Sequence, residues 1–162
     1  MPSQPKRLIQ HSILDRLIDN DPGNRLSEAP STPAQSLRQL KAAVRRDLEC
    51  LLNARATIVP LPEGCLEVKA SMMVYGLPDI TSIALESGQD EKRLLRTMEA
   101  TVARFEPRLT NVKITALQPL TKRTHALRFQ IEGLLLVEPA PELISFDAVL
   151  DTARGDYHVE GS

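Results

Sequence analysis

The hydrophobic period of this chain changes once, at Pro107, and that change restricts the fold more than any other feature. Before it, apolar residues recur at helical spacing; after it they alternate. Leu37, Leu40, Val44, Leu48, Leu51 and Leu52 form one stripe over a predicted helix at 35–55, with Arg38, Lys41, Arg45 and Arg46 facing elsewhere. Ser36 is its expected N-cap, and Pro60 and Pro62 keep it from running on. A second predicted helix covers 90–104, with Leu94, Leu95, Met98 and Val102 inward and Asp90 and Glu91 in the first turn, where the helix dipole favours them. Between the two lies a turn-rich connection in which Gly76 and Pro78 bracket Leu77 and Asp79 is placed to cap a short helix. Beyond Pro107, Val112, Ile114 and Ala116 alternate with polar neighbours, as do Leu127, Phe129, Ile131, Leu135 and Val137. Gly133 marks a bulge or a close backbone approach in that second strand. Ile144, Phe146, Ala148 and Leu150 follow after a turn at Glu138–Glu142, and a last short strand at 157–159 follows a tight turn at Ala153–Asp156. Helices first and antiparallel strands later predict an α+β fold with a small antiparallel sheet.

Ahead of this domain, Leu8, Ile9, Ile13, Leu14, Leu17 and Ile18 recur at helical spacing among charged residues. Pro22, Gly23, Pro30 and Pro33 then make residues 20–34 a linker. The expected division is a tethered docking helix within 1–19, a linker at 20–34 and the α+β domain at 35–162. An isolated helix of this length is not stable in water, so it must dock, on its own domain or on another protein.

Charge and composition narrow the function. Lys and Arg number 20 against 21 Asp and Glu, a net charge of −1, and aromatics are 3% without Trp. That balance excludes the broad cationic field and stacking platform of a general nucleic-acid binder. From Glu138 onward six acids face one base, Arg154, which describes either a solvated acidic edge or a docking surface for a basic partner. No apolar run suits a bilayer span, and charges interrupt the first apolar segment too early for a secretory signal; a cytoplasmic protein without direct membrane insertion is expected. His11, His125 and His158 lack metal-ligand spacing, Cys50 reads as a small core residue, Cys65 lies in a loop, and no phosphate-binding glycine loop exists. No metal, cofactor or catalytic residue is expected.

The cluster Phe105-Glu-Pro-Arg-Leu109 stands where a helix gives way to a strand. Pro107 stiffens the turn and would present Glu106 and Arg108 in a defined geometry on an exposed corner. One alternative is a helix stop with incidental charges. Another makes Glu106 a glycosidase acid, but that role needs a protonated carboxyl and a second carboxylate nearby, whereas the Arg108 guanidinium favours the ionised form. A binding role suits the pair better, through charge-assisted hydrogen bonds.

Together with Ser12-Ile-Leu-Asp-Arg-Leu17, Arg46-Asp-Leu-Glu-Cys-Leu-Leu-Asn-Ala-Arg55, Tyr75-Gly-Leu-Pro-Asp79, Val137-Glu-Pro-Ala-Pro-Glu142 and Ser145-Phe-Asp-Ala-Val-Leu-Asp151, this cluster resembles the TssE family. Those proteins are type VI secretion baseplate subunits, related to the baseplate wedge protein of contractile phage tails. Val74 departs from the polar Asn expected in many relatives. The resemblance implies a non-enzymatic structural component that contacts the wedge proteins TssF and TssG, with TssK a further candidate. It implies partner contacts at Glu106, Pro107, Arg108, Leu14, Leu17, Tyr75 and Asp79. It also implies templating of the sheath proteins TssB and TssC by strand addition, with the strand carrying Ile144, Phe146, Ala148 and Leu150 as the expected template. A lysozyme-like peptidoglycan hydrolase and a stand-alone adaptor are the alternatives.

Overall fold

A computed structural model describes residues 12–18, 32–57, 64, 66–69, 71–78, 88–118, 126–151 and 154–161. Residues 8–11, Cys65, Asp79 with the short helix expected after it, His125 and nearly all of the linker lie outside the described residues.

Helix α1 (Ile13–Leu17) begins at a capping box in which the Asp15 N–H donates to Ser12 Oγ and the Ser12 N–H donates to the Asp15 carboxylate. Helix α2 (Pro33–Asn53) starts two residues before the predicted position. Thr32, not Ser36, is its N-cap: Gln35 N–H donates to Thr32 Oγ1 and Gln35 Oε1 accepts from Thr32 N–H. Pro33 then occupies the first turn, where its missing N–H costs nothing. Ser36 instead sits inside the helix, buried. Leu40, Val44, Leu48, Leu51 and Leu52 are buried as the stripe predicts, while Leu37 is half-buried. Cys50 corrects the core expectation: it is exposed, one position off the stripe. A short helix, α3 (Leu66–Lys69), and a 3₁₀ turn (Met72–Val74) precede helix α4 (Gly88–Phe105), which buries Leu94, Met98 and Val102. Sequence periodicity does not announce α3, because four residues carry no period.

The strands β1 (Leu109–Ala116), β2 (Ala126–Leu135), β3 (Glu142–Asp151) and β4 (Asp156–Glu160) form one antiparallel sheet in the order β1-β2-β3-β4. Period-two alternation puts Leu127, Phe129, Ile131, Leu135, Ile144, Phe146, Ala148, Leu150, Tyr157 and Val159 on one face, which joins the α2 and α4 stripes in a single core. Gly133 marks both a bulge and a close backbone approach, as expected: it is the β2 residue opposite a bulge in β1, and a Cβ on it would lie 3.4 Å from Thr110 O. Asn111 and Val112 bulge in β1 between the Thr110–Leu134 and Lys113–Glu132 pairs, and Asn111 takes φ 53°.

One glycine is indispensable. Gly76 has φ 106°, and a Cβ there would collide with the Ala54 carbonyl. Its absence lets Leu77 N–H donate to Ala54 O (2.9 Å) and Ala56 N–H donate to Leu77 O (2.9 Å), a parallel bridge that ties the loop to the end of α2. The same bridge seats Leu77 in the core and Tyr75 beside Phe105. No helix among the described residues is long and apolar enough to cross a membrane.

Candidate functional site

Helix α4 stops at Phe105 because the next turn closes on itself. Glu106 N–H completes the helix by donating to Val102 O (2.8 Å), and Leu109 N–H donates back to Glu106 O (3.1 Å). Pro107 forbids further helix at this point. Leu136 N–H donates to Arg108 O (2.9 Å), tying the turn to the end of β2. The corner is therefore fixed by backbone bonds on both sides.

The charges on it are not presented to solvent, which corrects the expectation of an exposed pair. Glu106 is 3% exposed, Arg108 is half-buried, and only Pro107 is exposed. Arg108 Nε donates to Glu106 Oε1 (2.6 Å), Arg108 Nη2 donates to Oε2, and the Arg108 N–H also reaches Oε1 (3.2 Å). Both carboxylate oxygens are thus committed to the guanidinium fork, the strongest neutralising geometry a protein has.

The pair also continues across α2 to further charged residues. Arg108 Nη2 donates to Asp47 Oδ2 (2.6 Å); Asp47 Oδ1 accepts from Arg46 Nε (3.0 Å) and Nη2 (2.8 Å); Arg46 Nη2 donates to Asp15 Oδ1 (2.7 Å). Glu106, Arg108, Asp47, Arg46 and Asp15 therefore alternate in sign along one chain, from the turn after α4, across α2, to α1. The hydrogen bonds Arg108 donates to Glu106, which outweigh burial, and to Asp47 hold it well above its ordinary value. Hydrogen bonds donated to Asp15 and Asp47 likewise raise Arg46. Burial alone would raise Asp15, yet hydrogen bonds from Ser12 and Arg46 and the Arg46 charge hold its carboxyl below the usual range. Asp47 and Arg46 lie in the segment Arg46–Arg55 that carries the resemblance; their role was invisible because their partners lie far away in sequence.

Beside this chain runs a groove of about 510 Å³, with Leu14, Cys50, Tyr75, Phe105 and Pro107 in its wall. Tyr75 and Phe105 meet edge to face, centroids 5.2 Å apart. Burial, then the nearby Cys50, Asp47 and Glu106, raise the Tyr75 hydroxyl, which stays a phenol at neutral pH. Helix α1 rests on the domain through Asp15, while its apolar residues stay outside: Ile13 is 77% and Leu17 76% exposed, and Leu14 and Ile18 are exposed as well.

Of the residues expected to contact partners, Glu106, Arg108, Tyr75 and Leu14 come together around this groove, with Pro107 at its rim. Leu17 lies on the outward side of α1, and Asp79 lies outside the described residues. Ile144, Phe146, Ala148 and Leu150 are core residues of β3, an interior strand: β2 pairs along its whole length, and β4 pairs with 147–151. Their strand therefore has no free edge beside Ala148 and Leu150, which corrects the expectation of an available template along all of it.

A solved structure, "The baseplate complex from the type VI secretion system", contains a chain similar to this one at 22% identity. The match covers 69% of this chain and 94% of that one, with a TM-score of 0.47. Among curated proteins nothing matches. The family model of the baseplate wedge protein gp25 matches residues 38–140, which hold α2, the Tyr75 loop, α4, the Glu106–Arg108 turn and the first two strands. Since that segment is the greater part of the chain and holds the groove and its charged wall apart from the α1 flank, the chain belongs to the baseplate wedge protein gp25 family.

Proposed function

We propose that this chain is a non-catalytic connector in a type VI secretion baseplate, working in the cytoplasm. It grips the wedge proteins TssF and TssG, with TssK a further contact, and offers its sheet to the sheath proteins TssB and TssC. The observation that carries the connector reading is the alternating chain from Glu106 to Asp15. Every carboxylate in it already shares a guanidinium, so the network leaves no acid to donate a proton and none to attack a sugar. What the site keeps available is shape and apolar surface: the groove wall and the exposed side chains of α1. Such a surface suits a helical partner laid along the groove, with α1 as one flank.

The experiment is affinity capture of the tagged chain from its native cytoplasm, read by mass spectrometry, with and without residues 8–18. Wedge and sheath subunits are expected in the full-length capture. Removing 8–18 is expected to lower wedge recovery and hardly shift the melting temperature, because α1 contributes little to the core. Capture without any baseplate subunit would refute the reading. Clearing of a peptidoglycan suspension by the wild type but not by Glu106→Gln would revive the hydrolase.

A further inference from the structure

Helices α2 and α4 pack on one face of the sheet and leave the opposite face open among the described elements. Alternation assigns the side chains of that open face rung by rung. Leu134 and Leu143 stand opposite each other on β2 and β3, and Leu136 follows two residues on, with its N–H on Arg108 O. Leu143 is 72% exposed and Leu136 50%, while their neighbours Leu135 and Ile144 point the other way, into the core. Three leucines thus form an apolar end to the open face. A contiguous patch marks an interaction surface, as scattered single leucines do not.

The far half of the same face is acidic. β3 and β4 contain no lysine or arginine. Asp147 stands opposite Glu160, and Asp151 opposite Asp156, across their ladder. Like charges directly opposite, with Cβ atoms about 5 Å apart, destabilise a free sheet. Asp151 is engaged by its turn, where it accepts from Arg154 N–H (3.2 Å). Glu160 meets His158 Nε2 at 3.4 Å, a contact that brings an opposite charge only when the imidazole is protonated. The bases of this face lie on the other strands, Lys113 opposite Glu132 and Arg128 opposite Val149. Glu142 belongs to the helix side, paired with Lys41 (2.8 Å). Asp147 and Glu160 are both exposed, and Asp147 lies four residues from Leu143, about 13 Å along β3.

We propose that this face docks an amphipathic, lysine-bearing helix of a partner protein, laid along β3. An apolar side chain of that helix rests on Leu134, Leu136 and Leu143. Two turns further on, about 11 Å along its axis, a lysine on the same side extends its stem and sets its ammonium between Asp147 and Glu160. An ammonium with three separate donors fits between two carboxylates, where a planar guanidinium fork fits one. A helix is also the element that covers an open sheet face in layered folds. The repulsion between Asp147 and Glu160 in the free chain becomes attraction once the lysine is seated. The surface is separate from the groove, and only the choice of probes rests on the baseplate reading.

Hydroxyl-radical footprinting of the full chain, alone and with purified TssF–TssG or TssB–TssC, tests it. One of the two complexes is expected to protect Leu136 and Leu143, and carbodiimide coupling to join Asp147 or Glu160 to a lysine on a helix of that complex. Leu143→Asp and, separately, Glu160→Gln should each weaken its binding about tenfold, and added salt should weaken it further. Glu160→Gln should at the same time raise the urea midpoint of the free chain, because it removes one of two opposed charges, so its lost binding is not lost folding. Protection of Tyr75 and Phe105 with Leu136 and Leu143 unchanged would overturn this surface and leave the connector reading standing. Protected leucines with no coupled lysine, with a lysine coupled outside a helix, or with affinity indifferent to salt and to Glu160→Gln would overturn the partner chemistry. Binding by neither complex would overturn both readings.

Discussion

The side-chain amide of Asn53 pairs with the backbone of Tyr157 in both directions, accepting from its N–H and donating to its carbonyl at 2.7 and 2.8 Å. A residue in the last turn of a helix thereby acts as one rung of a β-ladder and closes the edge of β4. Asn53→Ala leaves both backbone groups without that partner and should cost about 1–2 kcal/mol in urea unfolding. Asn53→Asp keeps the acceptor, loses the donor and should fall between the two. An unchanged midpoint for Asn53→Ala would show that water serves the edge equally well.

Arg108→Ala should be severe for stability as well as for partner binding. Glu106 is 3% exposed and its charge is met by Arg108, which also holds Asp47. Removing the guanidinium leaves a buried carboxylate unpaired, a loss of roughly 3 kcal/mol. Arg108→Lys keeps the charge but cannot reproduce the fork, so chemical denaturation should rank it between wild type and Ala.

Acid should loosen α1 before the rest of the chain. Asp15 titrates lower in the folded chain than in the unfolded one, so its contribution is complete above the ordinary aspartate value of 3.8 and is lost as pH falls through the lowered folded value. Amide exchange at residues 12–18 should then quicken below that value while α2 stays protected. Asp15→Asn should produce the same quickening at neutral pH. Equal protection of residues 12–18 in that variant would mean that apolar contacts, not the Arg46 pair, hold the helix.

Gly76→Ala should destabilise by roughly 2 kcal/mol or more, since it combines a positive φ with a collision at the Ala54 carbonyl. The Tyr75–Phe105 contact should loosen with it, visible as increased exposure of the tyrosine to quenchers. A substitution at Gly64, whose Cβ would meet nothing, provides the control for the left-handed backbone alone.

Local pattern was enough to determine the two long helices, the alternating strands, the corner at Pro107 and the choice of inward side chains, because each follows from a period of 3.6 or 2 read over neighbouring residues. It misplaced the cap of α2 by four residues, since Thr32 and Ser36 are both able caps, each with a Gln three residues on (Gln35 and Gln39), and both therefore read as capping boxes. It put Cys50 in the core because one helical position is a 100° turn, enough to move a side chain from the stripe to the groove. The joining of Glu106 to Asp15, and the closing of β4 by α2, were decided by tertiary structure alone. Arg108 and Asp47 are 61 residues apart, Arg46 and Asp15 are 31 apart, and Asn53 and Tyr157 are 104 apart. No local period carries such pairings, because charge and hydrogen bonding act through the space that packing creates.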